Sequence, residues 1–162
     1  LENFKIIIYS TNDSLKEKVE ESKYFKSLNT KIYSKGEFIS NDRLLEIMGK
    51  SILHIANSIS DGLPTSGVEA MGMGAFPIQS NPGNVSEEVM AHGKNGYLIA
   101  DPFDVVAIAE IIKNALNNKE LRENAQIYNV DFVNKKFNRE VLREQIVKIY
   151  ENIYKESTSS IL

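Results

Sequence analysis

The chain has 162 residues, 42% of them hydrophobic and 25% charged, the proportions of an ordinary globular protein, which excludes a disordered or fibrous chain and leaves room for one domain with a normal core. A net charge of −3, with no run of Lys and Arg longer than a pair, excludes nucleic acid and anionic lipid as primary partners. The absence of cysteine excludes disulfides, thiolate nucleophiles and sulfur-liganded zinc, and fits a reducing compartment, so the cytoplasm is the expected location.

No apolar run approaches the roughly 20 residues needed to span a bilayer, and the N-terminus lacks a basic region followed by a signal-like core. The chain begins at Leu1 rather than Met, which points to a cut or processed piece. From there, continuous apolar runs alternate with amphipathic segments, the pattern of βα units around a buried parallel sheet. The first strand is expected over Phe4 to Tyr9. Ser14 with Glu17 reads as a capping box opening a polar helix to about Phe25, and Thr30 to Tyr33 forms the second strand.

Asn41 caps a helix carrying Leu44, Leu45, Ile47 and Met48, which leads into a third strand, Ile52 to Ala56, expected at the centre of the sheet. The least regular stretch, Asn57 to Ser66, then opens into a short helix around Val68 to Met73. A fourth strand follows over Ala75 to Gln79, a capping box at Asn84 and Glu87, a helix end at Gly93 and a fifth strand over Tyr97 to Ile99. Asp101 is expected to cap the next helix, with Pro102 at its first position and Val105, Ile108, Ile112, Ala115 and Leu116 as its buried stripe. Two further helices, about Lys119 to Val133 and Asn138 to Tyr154, complete the fold. The expected organisation is a Rossmann-like domain over 1–137, a C-terminal crossing helix over 138–156 and a frayed tail over 157–162.

The chemistry concentrates in residues 61–89, DGLPTSGVEAMGMGAFPIQSNPGNVSEEV, where Asp61 and Glu69 bracket a turn between a strand and a helix with seven residues between them. In an open parallel sheet, ligands bind outside the carboxyl ends of the strands, and a helix N-terminus there offers free backbone N–H groups to an anion such as a diphosphate. Gly62 and Gly67 permit close backbone approach, Thr65 and Ser66 add hydroxyl donors, and Glu69, one turn into the helix, can accept from a sugar diol. These pieces match a nucleotide sugar. The blander alternative is a loop-capping Asp61 and a solvated Glu69. It does not account for the Gly-Leu-Pro turn, the Glu-Ala-Met run and the Gly83 turn that accompany the two acids.

With these residues in view, positions 61–100 resemble the donor-binding core of the family 4 glycosyltransferases, which have the two-Rossmann GT-B fold. The family carries a Glu, seven residues, Glu motif. Asp61 stands at its first acid and Glu69 at its second, followed by Ala70, Met71 and Gly74. The resemblance implies that Glu69 holds the ribose hydroxyls and that the backbone of Gly62, Leu63, Pro64, Thr65 and Ser66 meets the diphosphate and donor sugar. It also implies that Asp61 faces sugar hydroxyls, with a reach one methylene shorter than the family's Glu. Asp61 and Glu69 are thus the expected catalytic pair. More loosely, the match runs from about Phe4 to Ile112 and sets Gly36, Glu37 and Phe38 where the family's backbone meets the nucleobase.

The same resemblance implies an α/β fold, the C-terminal half of a two-domain GT-B architecture lacking its first strand. The upstream loop whose Arg and Lys neutralise the diphosphate, and the N-terminal acceptor domain, are expected outside this chain. The implied activity is retaining transfer from a nucleoside-diphosphate sugar to a glycan or lipid-linked acceptor, in polysaccharide biosynthesis. No cofactor or metal is implied, and the fragment alone is expected to be inactive. Localisation is cytoplasmic, peripheral at the inner membrane face through the acceptor domain. A nucleotide-sugar epimerase of the same fold, or a module that only binds nucleotide, is the alternative.

Other readings fare worse. A response-regulator-like domain needs an acidic pocket at the first strand's end with a downstream Lys in the right order, which is not found, and no phosphate-loop or dinucleotide fingerprint completes around Gly72 and Gly74. His54, within an apolar strand, reads as a satisfied core residue, and His92 as a cation near a helix end. The last helix presents Leu142, Ile146, Ile149 and Ile153 at helical spacing, with Val141, Tyr150 and Tyr154 beside them. It is expected to pack on its own domain or on a second copy of the chain.

Overall fold

The computed structural model describes residues 4–159, which cluster into two compact units dividing after Asn41. The first unit is a βαβ arrangement. Strand β1 (Lys5–Thr11) and strand β2 (Asn29–Ser34) pair in parallel, with Ile6 opposite Thr30 and Ile8 opposite Ile32. Between them lie helix α1 (Asp13–Glu21) and a 3-10 turn (Phe25–Ser27). Helix α1 is capped by Asn12, whose Oδ1 accepts from the Leu15 amide at 2.8 Å, rather than by Ser14. The β1–β2 register shifts between Ile8 and Thr11, where Ser10 has a positive φ of 60°.

Helix α2 (Asn41–Gly49) starts at the boundary, and the second unit builds a parallel sheet in the order β3–β4–β5, from β3 (Leu53–Ala56), β4 (Phe76–Ser80) and β5 (Tyr97–Ile99). All five expected strands are present within two residues of their expected bounds. The third is not central within this sheet. Strand β4 lies between the other two and is buried along its whole length, whereas β3 is an edge with Ile55 exposed.

Helix α3 (Thr65–Met73) connects β3 to β4, and α4 (Val105–Asn117) and α5 (Lys119–Lys136) follow β5. One part of the core joins Phe76, Ile78 and Ile99 of the sheet to Ala115 of α4 and Ala125 of α5. A second joins Met71 of α3 to Val89 and Met90, with Val133 and Phe137 packed against them. Gly72 within α3 and Gly74 just after it serve this packing and the helix end. A Cβ on Gly72 would lie 2.9 Å from Val133 Cγ1, and Gly74 ends the helix in the left-handed region at φ 92°.

Helix α4 starts later than the sequence implies. Asp104 is its cap, accepting from the Ala107 amide at 2.9 Å, while Asp101 accepts from the Phe103 amide and closes the preceding turn. An aspartate can close a turn through the amide two residues on as readily as it caps a helix, so Asp101 and Asp104 are alike in sequence and divide the two tasks. The Asn84 region is likewise no α-helix start. Pro82–Glu88 is a kinked 3-10 segment with Gly83 and Asn84 both at positive φ, and Glu87 accepts from Asn81 instead.

The last helix, α6 (Arg139–Ser159), includes the first residues of the expected tail; the remaining tail residues lie outside those described. It does not bury its apolar stripe in its own unit. From Arg139 to Ser157 only Leu142 is half-buried, and Ile146, Ile149 and Ile153 are 52%, 57% and 57% exposed.

Candidate functional site

The Asp61–Glu69 segment leaves the carboxyl end of β3 and enters α3. Its loop is tied to the neighbouring structure at the start. Asn57 Nδ2 donates to the Pro102 carbonyl at 2.9 Å, and the Ser58 amide donates to Ser80 Oγ at 2.8 Å. Ser58 Oγ lies 3.2 Å from Ser80 Oγ and donates to Asp61 Oδ2 at 3.3 Å. Asp61 is exposed and followed by the exposed Gly62, and the chain turns inward through the half-buried Leu63 and the buried Pro64.

Pro64 stands at the cap position of α3 and provides no side-chain acceptor. Its carbonyl accepts from the Gly67 and Val68 amides, both at 3.1 Å, which leaves the Thr65 and Ser66 amides without a partner among the described residues. Helices α1, α4 and α5 differ here, each having a side-chain oxygen on its first turn from Asn12, Asp104 and Asn118. Two unsatisfied N–H groups at the positive end of α3 form a place for an anion. Glu69 sits one turn in, half-buried, with no ion-pair partner among the described residues.

Beneath the first turn of α3 lies Gln79 of β4, 1% exposed and with neither amide atom hydrogen-bonded. Its Oε1 would be 3.3 Å from a Cβ on Gly67, so the glycine lets helix and strand approach. The second unit thus brings Asp61, Gly62, Leu63, Pro64, Thr65, Ser66 and Glu69 onto one loop-to-helix segment. Gly36, Glu37 and Phe38 belong to the first unit, on the turn after β2. That turn is held by the Glu37 amide on the Ser34 carbonyl and by the Ser34 amide on Glu37 Oε2, both 2.9 Å, and Phe38 is 93% exposed.

Ser58 and Ser80 are not among the site residues expected from the sequence. Ser80 carried a signal, being a polar residue closing an apolar strand, and it is fully buried; Ser58 carried none beyond its place in an irregular loop. Both histidines differ from expectation in detail. His54 is a core residue, 7% exposed, but its Nε2 has no partner, and burial pushes the imidazole below its ordinary pKa of 6.5. His92 lies between the 3-10 segment and β5, where its Nδ1 accepts from the Leu98 amide at 3.0 Å; it acts as an acceptor there, not as a helix-end cation. Among the described residues no three His, Asp or Glu side chains gather in a metal-binding cluster, and no helix is long and apolar enough to cross a membrane.

A family model described as glycosyl transferases group 1 matches residues 2–130. Curated protein sequences give no match. Among solved structures, the C-terminal domain of a glycosyl transferase group 1 family protein (LpcC) from Francisella tularensis is 19% identical, with a TM-score of 0.65 over 78% of this chain and 64% of that one. Anabaena Alr3699/HepE in complex with UDP and glucose is also 19% identical, with a TM-score of 0.75 over 90% of this chain and 40% of that one. A TarM variant of S. aureus, in complex with Fondaparinux, alpha-GlcNAc-glycerol and UDP, gives 19% and a TM-score of 0.71 over 90% of this chain and 29% of its own. At such identity the likeness is one of fold: parallel strands flanked by helices, as in C-terminal GT-B domains. The chain spans between 29% and 64% of the length of these three structures.

Proposed function

The chain belongs to the group 1 glycosyltransferases, and from that premise we propose that it is the donor-binding domain of a retaining enzyme that transfers a sugar from a nucleoside-diphosphate sugar to a glycan or lipid-linked acceptor. The observation that carries the proposal is the uncapped first turn of α3, with free Thr65 and Ser66 amides, set between an exposed Asp61 and a half-buried Glu69. The UDP named for two of the neighbouring structures supports a nucleotide-sugar partner.

In this reading the diphosphate meets the backbone from Gly62 to Ser66, Glu69 takes the ribose hydroxyls, and Asp61 faces the donor sugar. The departing diphosphate is stabilised by helix-end N–H groups, an electrostatic task that needs no metal ion. Each charge-assisted contact contributes roughly 1 to 3 kcal/mol, so two amides alone bind weakly, and tight binding and transfer belong to a protein that adds basic side chains and an acceptor domain. The exposed face of α6 supports a cover for that helix from such a domain or from a second copy of the chain. Work in polysaccharide assembly, from the cytoplasm at the inner membrane face, completes the proposal.

The deciding experiment is donor turnover by the protein joined to its acceptor domain, with the product anomer read by NMR. Transfer with retention is expected, and no transfer by residues 1–162 alone. Epimerisation of the donor, or binding without turnover, overturns the proposal.

A further inference from the structure

Asp61 sits on an exposed loop beside a glycine, and such a side chain ordinarily samples several rotamers whose loss opposes ligand binding. Here it is not left to do so. Ser58 Oγ, three residues earlier, donates to Asp61 Oδ2 at 3.3 Å, which leaves Oδ1 to accept from a ligand. Ser58 is itself fixed, because its amide donates to Ser80 Oγ at 2.8 Å and the two hydroxyl oxygens lie 3.2 Å apart. Ser80 ends the central strand β4 fully buried, and its carbonyl accepts from the buried Ser86 Oγ at 2.9 Å.

The protons give this chain a direction. A hydroxyl has one hydrogen, and that of Ser58 goes to the Asp61 carboxylate, so the bond between the two serines must be donated by Ser80. The run is therefore Ser80 O–H to Ser58 Oγ, then Ser58 O–H to Asp61, each donor polarised by the next acceptor and ending on a charge. It links a rigid buried strand to one exposed carboxylate through a single loop residue.

We propose that Ser58 is a positioning residue for the donor sugar: held by Ser80, it fixes the Asp61 carboxylate in the orientation that receives the sugar hydroxyls. The inference rests on the reading of Asp61 given above and adds what makes a short aspartate serviceable at that place. Because Ser58 acts through Asp61 and not through the α3 amides, its removal affects the sugar and spares the nucleotide.

The test titrates the 162-residue chain by NMR with UDP and UDP-glucose, and with GDP and GDP-mannose, comparing the unsubstituted protein with Ser58→Ala, Ser58→Thr and Asp61→Ala. The unsubstituted chain takes the sugar nucleotide several-fold more tightly than the matching nucleotide. Ser58→Ala loses that increment to the same extent as Asp61→Ala with nucleotide affinity unchanged, and Ser58→Thr, which keeps the hydroxyl, restores it. An undiminished increment in Ser58→Ala, equal weakening of nucleotide and sugar nucleotide, or no increment in the unsubstituted chain overturns the proposal while leaving the nucleotide site standing. Failure of the unsubstituted chain to bind any of the four ligands overturns both.

Discussion

Asn95 and Asn129, 34 residues apart, bond to each other twice in the core of the second unit: Asn95 Nδ2 donates to Asn129 Oδ1 at 2.9 Å, and Asn129 Nδ2 donates to the Asn95 carbonyl at 2.8 Å. Asn95 also accepts from the Ala91 amide and donates to the Val89 carbonyl, so the pair fastens the segment before β5 onto helix α5. Replacing Asn129, which is fully buried, with Leu strands a buried carbonyl and amide. A loss of about 1 to 3 kcal/mol is expected from urea denaturation. A loss below about 0.5 kcal/mol would show that the pair is energetically idle.

Gly96 tests the same segment by overpacking. A Cβ there would lie 2.7 Å from Met90 Cγ and 2.9 Å from Pro77 Cγ, and the proline ring on a fully buried strand cannot yield. Gly96→Ala is expected to cost about 1 to 3 kcal/mol. Unchanged stability would mean that β4 and the segment before β5 are packed less closely than described.

His54 predicts a pH dependence. Burial holds its imidazole below the ordinary 6.5, so on acidification the unfolded chain takes up the proton first. Stability is therefore full above pH 6.5 and falls as the pH drops from there toward the lowered folded value, with a slope of at most about 1.4 kcal/mol per pH unit. His54→Leu removes this component. Urea midpoints measured from pH 7.5 to 5 should fall less for the variant than for the parent chain, and parallel curves would contradict the assignment.

The α6 stripe predicts concentration-dependent self-association of the isolated chain. Exposed Ile146, Ile149 and Ile153 are each worth roughly 1.5 to 3 kcal/mol on burial, enough in sum to favour pairing at high concentration. Sedimentation should show dimer formation in the micromolar range and its loss in Ile149→Glu. A strict monomer throughout would overturn this expectation.

How far the sequence could be read depended on the scale of each signal. The strands were legible because short apolar runs such as Ile6 to Ile8 and Phe76 to Ile78 alternate with amphipathic segments, the pattern of βα units on a parallel sheet. Local caps were not, since Asp101 and Asp104 offer the same chemistry three residues apart and the backbone geometry decides between them. The site divides the same way. The acids and the turn at residues 61–69 form one continuous signal, whereas Ser80 reaches Ser58 across 22 positions of sequence and shows only in three dimensions. Nor could the sequence reveal that α6 stays uncovered, because an apolar stripe states that a face needs a partner without stating whether this unit supplies it.

The central claim is that the segment from Asp61 to Glu69 holds a nucleoside diphosphate, and the most direct measurement is amide chemical-shift titration with UDP and GDP at millimolar concentration. The predicted result is weak binding, with the Thr65 and Ser66 amides among the largest shifts and Glu69→Ala weakening affinity more than Asp61→Ala. Absence of shifts at millimolar nucleotide, shifts confined to other surfaces, or a larger loss in Asp61→Ala than in Glu69→Ala would contradict it.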